Sequence, residues 1–266
     1  MSSLTPSSTA GPAATTEVMA GRTALTMLRR PQVIGIAVLQ ALMFLLMFRY
    51  VIGGAIELPG ATYVDYVVPG LVVAGLLFTG GGSAVAVAEE AAGGLYDRLR
   101  SLPVAGSAVL GGRAVADAAL MVAIGTITLL AGITVGFRVH GGAAGSVGAL
   151  ALLAVYSLAF AWVYVWIGLV ASSPQAAQGL GILSIPFSFL SSAFVPVDTL
   201  PAVLRLVADI QPLTMMVNAC RGLLLGDPFV GTLDHGLGYY IVGSLLWSLA
   251  LTAVAIPLAL RAYRRD

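Results

Sequence analysis

Long apolar segments separated by short polar ones constrain this chain more than any other feature. A helix needs about 20 consecutive apolar residues to cross the hydrocarbon core of a bilayer. The sequence contains six such segments, at about 32–51, 66–88, 108–136, 149–170, 176–194 and 239–260. Only 9% of the residues are charged, against about 25% in globular domains. Because a helix in lipid satisfies its own backbone groups, the sequence predicts an all-α integral membrane protein with six transmembrane helices.

The region before the first apolar segment divides into two parts. Residues 1–16 are rich in Ser, Thr, Ala and Pro and lack an apolar core, which predicts a disordered tail. Residues 17–30 place apolar side chains among arginines, a pattern typical of a helix that lies on the inner membrane surface. Pro31 ends that helix. Residues 17–266 are therefore expected to form one transmembrane domain that begins with an interfacial helix.

The most informative polar segment lies between the second and third apolar segments. Of the 13 basic and 12 acidic residues, seven fall within 89–117. There, three leucines follow the i, i+4, i+7 spacing of one helix face, and three charged residues occupy the other faces. The leucines are Leu95, Leu99 and Leu102, and the charged residues are Asp97, Arg98 and Arg100. Since Pro103 limits the helix, the pattern predicts a short amphipathic helix with a charged face.

Physical chemistry alone leaves the partner of this amphipathic helix open. A loop helix whose arginines contact lipid phosphates explains the pattern as well as docking on another protein does. Arg113 and Asp117 are spaced i, i+4 at the start of the third apolar segment, which favours a local ion pair. Glu89 and Glu90 precede the helix, and they either close an inner gate or cap the helix.

The sequence of this polar segment resembles that of a known transporter family. An acidic pair and a glycine precede Leu-Tyr-Asp-Arg-Leu-Arg-Ser-Leu-Pro at 95–103, and Gly-Arg-Ala-Val-Ala-Asp follows at 112–117. This pattern is similar to the cytoplasmic loop between the second and third spans of type-2 ABC exporter permeases, in the branch that contains the daunorubicin/doxorubicin-resistance permeases. The segment at 194–226 resembles a second signature of that family, a broken outer hairpin before the last span.

The resemblance implies that the chain is the permease subunit of an ATP-driven exporter. Such a subunit has no ATPase site, so ATP and Mg²⁺ would bind to a partner nucleotide-binding subunit, and this chain would hold no cofactor or metal. The amphipathic helix would be a coupling helix, with ATPase contacts expected at Leu95, Asp97, Arg98, Leu99, Arg100 and Leu102. The permease would pair with itself or with a sister permease, contact membrane lipid, and export an amphiphilic drug-like or lipid-like substrate.

Six spans place both termini on one side of the membrane, and the arginines indicate which side. Nine arginines fall on the side of the termini: Arg22, Arg29, Arg30, Arg98, Arg100, Arg113, Arg261, Arg264 and Arg265. Four fall on the other side: Arg49, Arg138, Arg205 and Arg221. Because cytoplasmic loops carry the excess of basic residues, both termini and the amphipathic helix are predicted to be cytoplasmic, in a protein of the cell membrane.

Residue content argues against several other activities. The chain has no lysine and therefore no Gly-x-x-x-x-Gly-Lys phosphate-binding loop, and it has neither a His-Glu-x-x-His nor a Gly-x-Ser-x-Gly motif. A net charge of +1 provides no basic field for nucleic acid. The middles of the predicted spans lack ionisable residues, which disfavours an ion-coupled secondary carrier. The other alternative is a membrane scaffold whose amphipathic helix binds only lipid or a partner that is not an ATPase.

Several residues within the spans are left with two interpretations. The glycines at 80–82 either allow close helix packing or contact the substrate, and packing is the favoured interpretation. The aromatic residues of the fourth span, Tyr156, Trp162, Tyr164 and Trp166, either anchor an interface or line a cavity. The serines of the fifth span either bond to their own backbone or form a polar side. Cys220, the single cysteine, is expected to be a buried thiol.

Overall fold

The computed structural model describes residues 12–29, 31–53, 62–197, 200–231 and 233–265. Every regular element within these ranges is helical, which confirms the predicted all-α class. The elements are α1 (Pro12–Leu28), α2 (Pro31–Met47), α3 (Tyr63–Ala92), α4 (Leu95–Arg100), α5 (Gly106–Thr134), α6 (Gly142–Val170), α7 (Pro174–Ile182), α8 (Ser184–Phe189), α9 (Ala202–Ile210), α10 (Pro212–Leu225), α11 (Asp227–Val230) and α12 (Leu237–Arg265). A π-helical turn at Phe48–Ile52 extends α2.

Five helices in the described ranges are long and apolar enough to cross a membrane. They cover Ile34–Ile52, Tyr63–Ala92, Gly106–Thr134, Gly142–Val170 and Leu237–Arg264. Each one coincides with a predicted span. The longest, α3, has 30 residues and is about 45 Å long at 1.5 Å per residue. Its ends therefore project beyond a hydrocarbon core of about 30 Å.

The predicted fifth span, 176–194, is a broken segment rather than one helix. α7 ends at Ile182, and α8 is only six residues long. The break has a local cause, because Pro186 has no N–H to donate to the carbonyl of Ile182 and its ring crowds that carbonyl. A single continuous helix does not form here, and helix length alone does not confirm the predicted count of six spans.

The broken segment nevertheless follows α3 in the antiparallel direction. Near the middle of α3, a Cβ added to Gly81 would lie 3.5 Å from the Cα of Gly181 in α7. At the start of α3, the Tyr63 hydroxyl donates to the carbonyl of Phe194 at 3.0 Å. α7, α8 and the residues up to Phe194 together therefore follow α3 at least from Gly81 to Tyr63, and Ser173, just before α7, lines a cavity with Ala91 and Ala92 at the end of α3.

Both described ends of the chain lie at the same end of the helix bundle as α4. α1 packs so closely on α5 that a Cβ added to Gly112 would lie 2.6 Å from the Cβ of Met19. Near the other terminus, the Tyr263 ring lies against Gly106 at the start of α5. The same ring makes an edge-to-face contact with Tyr96 of α4, with the ring centroids 5.9 Å apart.

The prediction of a disordered tail over residues 1–16 is wrong for residues 12–16. Residues 1–11 lie outside the described residues, but α1 begins at Pro12. Thr15 is buried, and Thr16 lies beside Gly112 of α5. Contact with α5 extends the helix into a segment whose composition alone is typical of a tail.

α3 is the central helix and packs against α5, α6, α7 and α10. A Cβ added to Gly80 would lie 2.1 Å from the Tyr164 ring of α6, so that ring sits in the space left by the glycine. Gly81 faces Gly181, whereas a Cβ on Gly82 would meet nothing within 4 Å. The packing interpretation therefore holds for Gly80 and Gly81 but not for Gly82.

The aromatic residues of α6 belong mainly to the protein interior. Tyr156, Trp162 and Tyr164 are buried, and Trp166 is half-buried against the core. The Tyr156 hydroxyl donates to the Ser244 hydroxyl of α12 at 2.6 Å, so it joins the fourth and last long helices. Burial of these side chains against α3 and α12 means that neither an interface anchor nor a cavity lining describes the group.

Hydroxyls around α8 bond mostly to the local backbone, as one of the two interpretations predicted. Ser184, Ser188 and Ser191 each donate to a carbonyl three or four residues earlier. Ser192 instead donates to the Asn218 side chain of α10 at 3.1 Å. Cys220 is buried, as predicted.

Within the described part of 194–226, for which the resemblance implies a broken outer hairpin, the structure has two short helices, α9 and α10. Asp198 and Thr199 lie outside the described residues. The chain changes direction at Gln211, whose backbone is extended before Pro212. α10 is almost completely buried among α3, α6 and α12. With 14 residues it is about 21 Å long, too short to cross a bilayer core of about 30 Å.

Candidate functional site

The amphipathic helix predicted from the sequence is present as α4, joined to α3 by a sharp turn. The N–H of Gly93 donates to the carbonyl of Glu89, and the N–H of Gly94 donates to the carbonyl of Ala91. Gly94 has a φ of 69°, in the left-handed region that glycine adopts readily. α3 therefore ends and α4 begins within two residues, so α4 lies at the end of the bundle where α3 ends.

α4 buries one face within this chain and exposes the other. The side chains of Tyr96 and Leu99 are only 4% and 8% exposed, and Leu95 is half-buried against the core. Asp97 and Arg98 are exposed, and Leu102, just beyond α4, is 50% exposed. Of the three predicted apolar contacts, only Leu102 is therefore available to another protein in this conformation.

The Arg100 side chain contacts α4 and α12 and does not extend freely into solvent. Its Nη2 lies 3.1 Å from Asp97 Oδ1, one turn earlier in the same helix. Its guanidinium carbon also lies 5.4 Å from the centroid of the Tyr263 ring of α12. An arginine over an aromatic face is attracted by the ring quadrupole. Arg100 consequently connects the charged face of α4 with the last long helix.

A buried charged cluster lies behind α4 and contains the predicted ion pair. Arg113 is 4% exposed, and its Nε donates to Asp117 Oδ2 at 2.9 Å, which confirms the i, i+4 pair. Its Nη1 donates to Glu90 Oε2 of α3 at 2.7 Å, and its Nη2 donates to the Ser83 carbonyl at 3.4 Å. One guanidinium therefore holds α3 and α5 together at the α4 end of the bundle.

Tyr96 connects α4 with this cluster. Its hydroxyl donates to Glu90 Oε2 at 3.1 Å, the same oxygen that Arg113 contacts. Burial, and secondly the negative charge of Glu90, raise the pKa of Tyr96 well above its usual range. The phenol consequently keeps its proton and remains a hydrogen-bond donor. Glu90 thus joins three helices, whereas Glu89 is exposed and its carbonyl accepts from Gly93 at the end of α3.

A cavity of about 250 Å³ separates part of α4 from the rest of the bundle. Small side chains of α3 form one wall, and the loop after α6 and the Tyr263 ring form the others. Its lining includes Ala88, Ala91, Ala92, Tyr96, Ser172 and Tyr263. α4 is therefore held by specific side-chain contacts and is not close-packed on every side.

A second cavity of about 250 Å³ opens on the side of the bundle between α2, α3 and α7. We call it the membrane groove. Gln40 and Gln178 provide amide groups on opposite walls, Phe78 provides an aromatic wall, and Gly82 leaves space in the floor. This combination of apolar surface with a few polar groups is typical of sites for small organic ligands.

Metal ligands are not clustered in the part of the chain that the structure describes. No group of three His, Cys, Asp or Glu side chains there could hold a metal ion.

Comparison with known proteins identifies the family. The ABC-2 type transporter family matches residues 15–225, which extend from α1 to the end of α10. The chain belongs to the ABC-2 type transporter family. The match contains the loop at 89–117 and nearly all of the segment at 194–226, the two stretches on which the resemblance was based.

Two of the relatives are similar to this chain over most of their length, and a third is similar over a short segment. Daunorubicin resistance ABC transporter permease protein DrrB1 of Streptomyces coeruleorubidus is 32% identical over 229 residues, which cover 85% of this chain and 78% of that protein. The probable doxorubicin resistance ABC transporter permease protein DrrC of Mycobacterium tuberculosis H37Rv is 26% identical over 231 residues, or 86% of this chain and 80% of that one. Nodulation protein J of Rhizobium leguminosarum bv. trifolii is 40% identical, but over only 68 residues.

These matches confirm the predicted family and its branch, and they make this ABC-2 protein a multi-pass helical membrane protein. Within it, the structure brings Asp97 and Arg100 together on α4, and it adds Tyr96 and Ser83 to the charged region, which the sequence had not indicated. Ser83 and Arg113 are 30 residues apart, so no local spacing relates them. A tyrosine within an amphipathic pattern is equally compatible with simple packing.

Proposed function

We propose that the chain is the permease subunit of an ATP-driven ABC exporter, which moves an amphiphilic drug-like or lipid-like substrate out across the cytoplasmic membrane. The ABC-2 family match over α1 to α10 carries this proposal. The named function of the relatives in daunorubicin and doxorubicin resistance supports a drug-like substrate. ATP and Mg²⁺ bind to a partner nucleotide-binding subunit, and this chain contains no ATPase site.

The proposed topology has six crossings, with both termini and α4 in the cytoplasm. Five crossings use the long helices, and the sixth uses α7, α8 and the residues up to Phe194, which together run antiparallel to α3. The contacts of Gly112 with α1 and of Gly106 with Tyr263 support a common side for both ends and α4. The excess of arginines on that side supports its cytoplasmic location. α1 then lies at the inner surface as the interfacial helix.

α4 is the proposed coupling helix, through which the partner ATPase acts on the permease. Asp97, Arg98 and Leu102 form the contact surface because they are exposed at the end of the bundle. Leu95 and Leu99 pack α4 against the rest of this chain. Arg100 forms an ion pair with Asp97 and contacts the Tyr263 ring. Glu90 accepts a hydrogen bond from Arg113 of α5. This contact favours a role at the inner gate over helix capping for Glu90.

The membrane groove is the proposed place where substrate meets this chain. Its Phe78 wall suits the aromatic or lipid-like part of a substrate, and the amides of Gln40 and Gln178 suit a polar group.

α2 and α12 leave most of their apolar surface exposed, which fits contact with lipid and with a second permease. The functional unit is accordingly a homodimer or a pair with a sister permease, together with two ATPase subunits.

Co-purification with the ATPase encoded beside this gene tests the proposal. The double variant Arg98→Glu with Leu102→Asp changes the exposed contact surface of α4 and leaves buried Leu99 in place. We expect the native chain to bind the ATPase and change its turnover, and the double variant to lose both effects while remaining folded. Arg138→Glu, an exposed charge reversal at the opposite end of the bundle, is the matched control and should behave as native.

Two other functions predict different results. A scaffold that binds lipid through α4 would neither bind the ATPase nor alter its turnover, and the double variant would then change only vesicle binding. A secondary carrier would stop transporting when the ion gradient is collapsed at constant ATP. Either result would replace the exporter proposal.

A further inference from the structure

We propose that Tyr96 and Glu90 are positioning residues that transmit a displacement of α4 to the Arg113 ion pair and so move α5 within the helix bundle. The proposal rests on the function of α4 as a coupling helix. It concerns the step after ATPase docking, namely how a movement of a six-residue helix reaches a long membrane helix. The observation that carries it is that Tyr96 and Arg113 donate to the same oxygen, Glu90 Oε2.

A shared acceptor makes the two contacts interdependent. Glu90 Oε2 lies 3.1 Å from the Tyr96 hydroxyl and 2.7 Å from Arg113 Nη1. Hydrogen bonds to a charged group are short and directional, so the carboxylate cannot follow Tyr96 by more than a fraction of an ångström without lengthening its bond to Arg113. A displacement of Tyr96 therefore changes the environment of Arg113 directly.

Arg113 responds strongly because it is buried between two helices. Its second carboxylate partner, Asp117, is fully buried one turn along α5. Breaking a buried ion pair on one side leaves an incompletely compensated charge in a low-dielectric environment, which is strongly unfavourable. Arg113 and Asp117 must consequently shift together when Glu90 moves, and both belong to α5.

The surroundings of α4 leave room for the displacement. The cavity of about 250 Å³ borders Tyr96 and is walled by alanines of α3. On the other side, Gly93 and Gly94 form the turn that connects α4 to α3, and glycine adopts a wide range of backbone conformations. α4 can therefore tilt about this turn while the Tyr96 hydroxyl remains its polar connection to the charged cluster.

Tyr96→Phe tests the hydrogen bond of the hydroxyl separately from the packing of α4. The variant removes the hydroxyl but keeps the ring that contacts Tyr263. Tyr263→Phe is the matched control: it removes a hydroxyl for which the described residues show no hydrogen bond, and it preserves the same edge-to-face contact. We expect both variants to bind the ATPase like the native chain, because the exposed surface of α4 is unchanged.

Distances between spin labels provide a readout that does not depend on the substrate. Cysteines at Ser101 and Arg261 report α4 relative to α12, and cysteines at Val115 and Arg261 report α5 relative to α12. These positions are exposed, and the native Cys220 is buried. Double electron-electron resonance would be measured on the complex with ATPase, with and without a non-hydrolysable ATP analogue.

The expected result is a nucleotide-dependent shift of both distances in the native chain and in Tyr263→Phe. In Tyr96→Phe, the α4 distance should still shift and the α5 shift should be reduced severalfold. If Tyr96→Phe shifts both distances as the native chain does, the proposed transmission through Tyr96 is wrong. If the native chain does not bind the ATPase at all, the exporter function itself fails, and co-purification reports that separately.

A double-mutant cycle distinguishes transmission from a general loss of rigidity. Glu90→Gln keeps a carbonyl that can accept from Tyr96 but removes the charge that holds Arg113. When transmission runs through Glu90, Tyr96→Phe combined with Glu90→Gln should lose no more of the α5 shift than the stronger single variant loses. Additive losses would mean that the two residues act independently, and the proposal would be rejected.

Discussion

The guanidinium carbon of Arg221 lies 3.7 Å from the centroid of the Tyr66 ring, while its Nε donates to the Tyr66 carbonyl at 3.0 Å. Arg221 is only 1% exposed, and it also donates to Asn218 Oδ1 at 2.9 Å and to the Ser192 carbonyl at 2.9 Å. One arginine of α10 thus joins the start of α3 to the irregular segment after α8. Because its guanidinium group makes all these contacts at once, Arg221 holds the irregular segment after α8 in place.

Arg221→Lys should destabilise the protein although it keeps the charge. An ammonium group cannot reproduce the planar fork that contacts Tyr66, Asn218 and Ser192. Losing one or two hydrogen bonds to a charged group costs about 2–4 kcal/mol in the free energy of unfolding. The midpoint of thermal unfolding in detergent measures this effect. Arg138→Lys, exposed at the same end, should stay within about 0.5 kcal/mol of native, and equal effects in both variants would contradict the assignment.

Gly80→Ala and Gly82→Ala should differ although the two glycines are neighbours in α3. A Cβ at Gly80 would overlap the Tyr164 ring, whereas one at Gly82 meets open space. Overpacking of this kind costs about 1–3 kcal/mol, and alanine at Gly82 should be neutral or slightly stabilising because of its better helix propensity. Thermal unfolding of the two variants side by side checks the difference.

Gly82→Leu should block the membrane groove without unfolding the protein. The leucine side chain would extend into the space between Phe78 and Gln178. With daunorubicin as the probe for the proposed drug-like substrate, ATP-driven uptake into inside-out vesicles should fall severalfold, while ATPase binding stays native. Gly238→Leu, which also faces open space but lies at the start of α12, serves as the control. Unchanged uptake in Gly82→Leu would show that the groove is not the substrate path.

Leu99→Ala and Leu102→Ala should separate the two faces of α4. Leu99 is 8% exposed and Leu102 is 50% exposed. Truncating the buried leucine should cost about 2–3 kcal/mol, at the lower end for buried leucines because α4 borders a cavity. Leu102→Ala should leave stability within about 0.5 kcal/mol and weaken ATPase co-purification. The reverse pattern would mean that α4 is turned over in the assembled transporter.

Arg113→Leu should be among the most destabilising single substitutions in the chain. It leaves Glu90 and fully buried Asp117 without their common cation, and removing one partner of a buried ion pair costs about 3–5 kcal/mol. Adding Asp117→Asn should recover part of the loss because one buried charge is removed. Arg261→Leu, an exposed arginine at the same end, should have little effect. Thermal unfolding in detergent again provides the measurement.

Much of the fold could be predicted from the sequence because the relevant signals are local. A run of apolar residues is sufficient to predict a helix that can cross a membrane, and five of the predicted spans are present as long helices. The spacing of Leu95, Leu99 and Leu102 predicted α4, although the helix ends at Arg100. The i, i+4 spacing of Arg113 and Asp117 predicted their ion pair. The predicted span at 176–194 is interrupted at Leu183 because one proline, Pro186, removes a helical hydrogen bond.

The candidate site was predicted less completely because helical periodicity identifies an apolar face but not its partner. The resemblance implies that the face of α4 with Leu99 contacts an ATPase, whereas the structure buries Leu99 against this chain's own helices. Nothing in the local pattern distinguishes these two ways of covering the same apolar surface. Only the packing of α4 on the other helices identifies its exposed residues Asp97 and Arg98, with Leu102 just beyond it, as the proposed contact.

The sequence by itself determined that this chain is a helical membrane protein, where its long helices lie, and to which family it is similar. These properties depend on hydrophobicity, on i, i+4 spacing and on contiguous motifs. The tertiary structure alone decided that Glu90 joins Tyr96 to Arg113, that Arg221 contacts Tyr66 155 residues away along the chain, and that Gly80 and Gly82 face different surroundings. Such contacts depend on how the helices pack against one another, and no local pattern specifies that arrangement.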